Sequence, residues 1–197
     1  FRFSCELYKT VNKDLLQKAT EDTLEEFDIF KSILRRGLFW YYLEESDIKP
    51  IVREEYKIPC SLIYQRNNHK LLFEVTYYRN RINLEVFHVL TDGTGAMNFL
   101  KTLVSNYLTL AENVEDSGVD YDASSTQKSD DSFSKYYSGK ISSKQENNPV
   151  AYKIVGRKYP DDKLKVINGM VDVKKVLEES HKYNATLTAF LSAVLVK

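Results

Sequence analysis

Residues 71–88 read LLFEVTYYRNRINLEVFH, and this stretch predicts the β-hairpin around which the fold is built. Apolar and polar residues alternate in two runs, which is the period of strands with one buried face. A two-residue loop at residues 79–80 would place all the apolar side chains on the same face of the sheet. The predicted cross-strand pairs are Tyr77 with Ile82, Val75 with Leu84, Phe73 with Val86 and Leu71 with His88.

The same register sets Glu74 directly against Glu85 on the other face of the hairpin. Two opposed carboxylates repel each other unless a cation lies nearby. A catalytic carboxylate pair is one interpretation of this arrangement. A solvated face is much commoner, and it is what we expect here.

The flanking segments predict an α/β chain, in the form of an α+β two-layer sandwich with helices packed on a mixed, mostly antiparallel sheet. Before the hairpin we expect a strand over 1–7, a helix from the N-cap Asn12 to about 27, two short strands within 30–44 that turn at 36–37, and an irregular connection over 47–59. After it we expect an amphipathic helix over 94–111, strands over 152–158 and 163–170, and helices over 172–183 and 185–197.

Composition divides the chain into three segments. We expect a folded first segment over 1–112, a flexible polar loop over 113–147 in which Ser, Asp, Lys and Asn dominate, and a third segment over 148–197. The last predicted helix stops without a cap or a breaker, which suggests a fragment of a longer protein.

Charge and cysteine content exclude several classes of function. The 28 basic and 28 acidic residues balance, so no net field favours nucleic acid or an anionic membrane. No apolar run is long enough to span a bilayer. Cys5 and Cys60 are too few for a disulfide framework, and we expect free buried thiols in the cytoplasm. The histidines His69 and His181 lack zinc-ligand spacing, so we expect surface histidines and no metal site.

The clearest functional motif is His88-x-x-x-Asp92-Gly93, at the junction between the hairpin and the following helix. A histidine that continues an apolar strand face is more often a hydrogen-bonded core residue than a catalyst. Asp92 is equally explained as a helix N-cap. Gly93 and Gly95 allow a sharp turn and the close approach of another group.

This motif resembles the HxxxDG motif of the chloramphenicol acetyltransferase-like, acyl-CoA-dependent acyltransferases. Within that superfamily the chain most resembles the bacterial alcohol acetyltransferase-like proteins. Residues 27–43 and 81–110 carry the resemblance best, and 151–197 agrees more weakly. Proteins of this superfamily consist of two similar α/β halves with a tunnel between them, and this chain resembles the first half plus the crossover into the second.

The resemblance implies that His88 is a general base that activates a small alcohol or amine toward the thioester of an acyl-CoA such as acetyl-CoA. Asp92 and Gly93 would be structural residues at the active site. Asp92 would pair with an arginine, for which Arg2, Arg79 and Arg81 are candidates unless the partner lies in the missing C-terminal half. Gly93 would keep the space beside His88 open. The resemblance implies acyl-CoA as a co-substrate and no permanently bound cofactor.

Two alternatives remain open at the level of sequence. Condensation-type acyl transfer from a carrier protein is disfavoured because Phe87 stands where condensation domains usually have a second histidine. A non-catalytic scaffold would keep His88 as a packed core residue. The fragment itself is expected to be inactive, and it should self-associate because the face that meets the second half would be exposed.

Overall fold

The computed structural model describes residues 1–64 and 70–112, and beyond them 150, 153, 155–156, 159–160, 163–167 and 169–196. The chain divides into two compact units, Phe1–Lys140 and Ile141–Lys197. The predicted loop over 113–147, His69 and most of the strand predicted over 152–158 lie outside the described residues. Among the described helices, none is long and apolar enough to cross a membrane.

The first unit is built on a four-stranded sheet. Its elements are β1 (Arg2–Glu6), α1 (Lys13–Leu24), a 3₁₀ turn (Asp28–Lys31), β2 (Ser32–Arg36), β3 (Tyr41–Glu45), β4 (Arg53–Glu54), β5 (Phe73–Tyr78), β6 (Arg81–Val86) and α2 (Gly93–Glu112). The strand order is β1-β6-β5-β4, with β4 parallel to β5 and the other pairs antiparallel. The two helices pack against each other, and α2 contacts β1 and β6. The predicted α+β class with a mixed, mostly antiparallel sheet is confirmed.

The β5–β6 hairpin has the predicted register from Tyr77–Ile82 to Phe73–Val86. Arg79 in the two-residue loop has φ 52°, the left-handed backbone that such tight hairpin loops require. The predicted pairing of Leu71 with His88 is wrong. The ladder ends at Val86, one further bond joins the Phe87 N–H to the Leu72 carbonyl at 2.8 Å, and the chain then turns.

The core lies between the sheet and the two helices. Asn12 caps α1 by accepting the backbone N–H groups of Asp14 and Leu15, as predicted, and the helix ends at Leu24 rather than near Phe27. A cluster of four phenylalanines, buried to 4% exposure or less, lies at the centre of the core, and its members are Phe27, Phe30, Phe73 and Phe99.

Two features lie outside the main sheet ladder of β1, β5 and β6. The predicted pair β2–β3 forms a separate two-stranded sheet with the turn at the expected place. The connection predicted as irregular over 47–59 contains β4, a two-residue strand that pairs with Thr76 and Tyr77 of β5. Two residues give too short an alternation to be recognised as a strand in the sequence.

In the second unit, α3 (Val173–Lys182) begins at the predicted cap, where Asp172 accepts the Lys175 N–H. It is followed by α4 (Leu187–Val196), also predicted. The strand predicted over 163–170 is wrong for its described residues, which have no regular secondary structure. A strand needs a neighbour to satisfy its backbone groups, and none of these residues takes part in a described strand pairing.

Candidate active site

His88 lies in the turn that joins β6 to α2. The Leu90 N–H closes this turn onto the Phe87 carbonyl at 2.9 Å, and the buried Leu90 side chain anchors it to the core. His88 and Val89, between these two residues, are exposed. The prediction that His88 shares the buried face of the hairpin is therefore wrong, because the strand ends two residues earlier and alternation no longer applies.

The imidazole of His88 packs edge-to-face on the ring of Phe1, with 5.0 Å between the ring centroids and 73° between the planes. No hydrogen bond joins the imidazole to any other described residue. Within the described part of the chain, neither ring nitrogen is therefore occupied by a polar partner. His88 is exposed despite its contact with Phe1.

Asp92 is the N-cap of α2. Its Oδ1 accepts the Gly95 N–H at 2.8 Å, and its carbonyl accepts the Ala96 N–H at 3.1 Å. Such a cap satisfies a backbone donor at the helix start that has no partner within the helix. The structural interpretation of Asp92 offered by the sequence is thereby confirmed.

None of the three candidate arginines pairs with Asp92. Arg2 and Arg81 both bind Glu55, and Arg79 lies over the Tyr78 ring with 5.3 Å from its guanidinium carbon to the ring centroid. Within the described part of the chain, Asp92 has no arginine at ion-pair distance.

The two glycines of the turn have different steric surroundings. A Cβ added at Gly93 would lie 3.9 Å from the Phe3 ring, which is ordinary van der Waals contact. A Cβ added at Gly95 would lie 2.1 Å from Thr91 Oγ1 and 3.3 Å from Thr91 Cβ. Gly95 is therefore the glycine that the turn requires for close approach, whereas a methyl group at Gly93 would fit against Phe3 without overlap.

We expect Gly93→Ala to leave the free energy of unfolding unchanged or to raise it by up to about 1 kcal/mol, because alanine favours the helix. Gly95→Ala should lower it by about 1–3 kcal/mol, because its methyl group overlaps Thr91. Urea unfolding of both variants tests this. The double variant Gly95→Ala/Thr91→Ala should recover most of the loss, and equal stabilities of the two single variants would contradict the assignment.

The opposite face of the hairpin carries a buried charge network. Arg2 Nη1 lies 2.6 Å from Glu55 Oε1, and Arg2 Nε donates to Glu85 Oε1 at 2.8 Å. Arg81 Nη2 contacts the second oxygen of Glu55 at 2.9 Å. The Cys60 N–H also donates to Glu85 Oε1, at 2.9 Å, from a backbone with φ 61°. Glu85 is only 2% exposed.

The predicted solvated face for Glu74 and Glu85 is wrong. The two residues are directly opposed, as the register requires, but Lys57 neutralises Glu74 with its Nζ 2.5 Å from the carboxylate, and Arg2 neutralises Glu85. Burial alone would raise the pKa of Glu55, but the hydrogen bonds from Arg2 and Arg81 outweigh it and hold that pKa below its ordinary value. Each carboxylate is therefore paired with a cation. This arrangement is typical of a structural charge network rather than of a catalytic acid–base pair.

The remaining candidates for reactive groups are not part of a site. Both cysteines are free, but Cys60 is exposed and Cys5 only partly buried, so the predicted burial of the thiols is wrong. His181 is exposed, as predicted for a surface histidine. The described residues contain no group of three or more His, Cys, Asp or Glu side chains that could hold a metal ion.

Neither a protein-family model nor a curated protein sequence matches this chain significantly. The functional assignment therefore rests on the residues and their arrangement.

Proposed function

We propose that this chain is the first half of an acyltransferase that moves a short acyl group, such as acetyl, from acyl-CoA to a small alcohol or amine, with His88 as the general base. The observation that carries the proposal is the position of His88. It is exposed at a strand-to-helix junction and not bound to any described polar group, whereas a scaffold residue would be packed in the core.

The chemistry needs one group that first accepts and then donates a proton near neutral pH. The neutral imidazole of His88 takes the proton of the acceptor hydroxyl or amine as its oxygen or nitrogen attacks the thioester carbonyl. The tetrahedral intermediate then collapses, the carbon–sulfur bond breaks, and the imidazolium returns the proton to the departing thiolate. An imidazole can both accept and donate a proton near neutral pH, as the two steps require.

Asp92 and Gly93 shape the junction in this proposal. Asp92, through its bond to the Gly95 N–H, fixes the first turn of α2 and hence the direction in which the chain leaves His88. Gly93 leaves the space in front of that turn without a side chain. Among the described residues, Phe3 is the one that an added Cβ would contact there, at 3.9 Å. We place both residues in structural roles, with no direct contact to the reacting atoms.

Thiol release from acetyl-CoA by the full-length polypeptide, measured with a panel of alcohols and amines, tests the proposal. Release that requires an acceptor is the expected result, and the acceptor that gives the highest rate defines the substrate class. Transfer only from an acylated carrier protein would replace CoA by a protein-bound donor. No release from either donor would contradict an acyltransferase.

We expect His88→Ala to lower the acceptor-dependent rate by about 10²–10⁴-fold, the usual contribution of a general base. The free energy of unfolding should change by less than about 1 kcal/mol, because the His88 side chain is exposed and its described ring contact is with Phe1. His181→Ala is the matched control, since it removes another exposed histidine. Equal rates in the two variants would contradict the role of His88.

A further inference from the structure

The structure contains a cavity of about 140 Å³ at the outer edge of β5. Its walls come from the connection that precedes β4 and from the first half of β5. Ile51, Leu71 and Phe73 contribute apolar surface, and the charged groups in the lining are those of Lys49, Arg53, Lys70 and Glu74.

The cavity exists because β4 covers only part of β5. The two strands pair at Thr76 and Tyr77 alone, so the edge of β5 before Thr76 has no neighbouring strand. The connection cannot extend the ladder at Pro50, which has no N–H to donate. Gln17 of α1 holds the connection instead, by donating to the Pro50 carbonyl at 2.9 Å and accepting the Val52 N–H at 2.8 Å. These bonds fix the cavity wall in place.

The charge of the lining is positive. Lys49, Arg53 and Lys70 are all exposed, and none of them forms an ion pair with another described residue. The one carboxylate, Glu74, is already neutralised by Lys57. Among the described lining residues, three cations against one carboxylate give a net charge of +2, which attracts a phosphate-bearing molecule.

The cavity lies at the same end of the sheet as His88. Phe73, which lines the cavity, pairs with Val86, two residues before His88. His88 lies on the β1 side of β6, against Phe1, so about two strand spacings, roughly 10 Å, separate it laterally from the outer edge of β5. One elongated molecule can therefore reach from the cavity to the imidazole.

We infer that the cavity binds the phosphate groups of the acyl donor, with Lys49, Arg53 and Lys70 as the binding cations. The inference rests on the proposed function and deepens it. The pantetheine arm of CoA runs from the cavity across the end of β5 and β6 and presents its thioester to His88. The donor is then recognised by its phosphates as well as by its acyl group.

The test compares equilibrium binding of CoA and of pantetheine, which has the same thiol arm but no phosphate, to the full-length polypeptide by calorimetry. The triple variant Lys49→Gln/Arg53→Gln/Lys70→Gln should weaken CoA binding by about tenfold or more and leave pantetheine binding unchanged. The matched control Lys13→Gln/Lys18→Gln/Lys101→Gln removes three exposed lysines outside the cavity and should bind both molecules like the parent protein. CoA binding to the parent should also weaken as salt is added.

Equal affinity of the parent for CoA and pantetheine, or unchanged CoA binding in the triple variant, would overturn the cavity assignment. The proposed function would survive that result if acetyl-pantetheine and acetyl-CoA both support thiol release that depends on His88. Absence of CoA binding together with absence of thiol release would overturn both.

Discussion

Replacing Arg2 by methionine should lower the free energy of unfolding by about 3–5 kcal/mol, the usual loss when one partner of a buried ion pair is removed. Arg2 is 11% exposed and is the cation nearest to Glu85, whose side chain is 2% exposed. Its loss leaves the buried Glu85 carboxylate with the Cys60 N–H as its one donor among the described residues. Glu55 keeps Arg81 and is affected less.

The double variant Arg2→Met/Glu85→Met isolates this effect. Removing both charges leaves no unpaired buried carboxylate, so the double variant should be more stable than Arg2→Met alone. Arg36→Met, which removes an exposed arginine of the β2–β3 hairpin, should change stability by less than about 0.5 kcal/mol. Urea unfolding of the four proteins at pH 7 measures these differences, and a loss below about 1 kcal/mol in Arg2→Met would contradict a structural role for the network.

Acid should weaken the same network. The pKa of Glu55 is lowered in the folded protein, so its contribution to stability is present above the pKa of the unfolded chain. That contribution is lost as the pH falls through the folded-state pKa of Glu55. Since Arg2 provides one of the two hydrogen bonds that lower this pKa, unfolding of Arg2→Met should depend less steeply on pH in the acid range.

Replacing Phe99 by alanine should also lower the free energy of unfolding by about 3–5 kcal/mol. The Phe99 side chain is fully buried and its ring stacks on Phe30, with 4.1 Å between the centroids. It meets the edges of Phe27 and Phe73 as well, each at 5.3 Å. Alanine would leave a cavity bordered by the Phe73 ring of β5 and by the rings of Phe30 in the 3₁₀ turn and of Phe27, the residue that precedes this turn.

Two further variants calibrate the Phe99 result. Phe99→Leu fills most of the space and should cost only about 1–2 kcal/mol. Leu108→Ala shortens a 40%-exposed side chain on the same helix and should cost less than about 1 kcal/mol. Thermal unfolding followed by circular dichroism ranks the three variants. Similar losses in Phe99→Ala and Leu108→Ala would show that the phenylalanine cluster is not the centre of the core.

The hairpin could be predicted from the sequence because its information is local. Alternation over Phe73–Tyr78 and Arg81–Val86, together with the two-residue loop, fixes both the register and the buried face. The caps of α1 and α3 were equally predictable, since Asn12 and Asp172 bond to backbone groups only two or three residues away. Such contacts depend on no other part of the chain.

The partners of the opposite hairpin face could not be predicted. Alternation places Glu74 and Glu85 there correctly, but it does not say what covers that face. The residues that contact this face are Arg2 of β1 and, in the connection after β3, Glu55, Lys57 and Cys60. The opposed glutamates were the one feature of the sequence that indicated nearby cations, because two carboxylates at that distance repel each other unless cations lie near them.

The sequence predicted which residues form the candidate site, but not how they are arranged in space. The sequence identified His88, Asp92 and Gly93, and it assigned Asp92 to the helix cap that the structure contains. The alternation of apolar and polar residues predicted that His88 lies on the buried face. Alternation alone does not show where a strand ends. The sequence predicted the amphipathic helix but did not single out Phe99, which is fully buried on the face of α2 that enters the core.

The strand order of the sheet has a consequence for the nascent chain. β1 pairs with β6, so the first strand remains without its neighbour until some 74 intervening residues have been synthesised. At ordinary rates of translation this interval is roughly 4–15 seconds, far longer than the microseconds in which the β5–β6 hairpin can close. The hairpin therefore closes first, and β1 pairs with β6 afterwards. The strands join the sheet in an order that differs from their order along the chain.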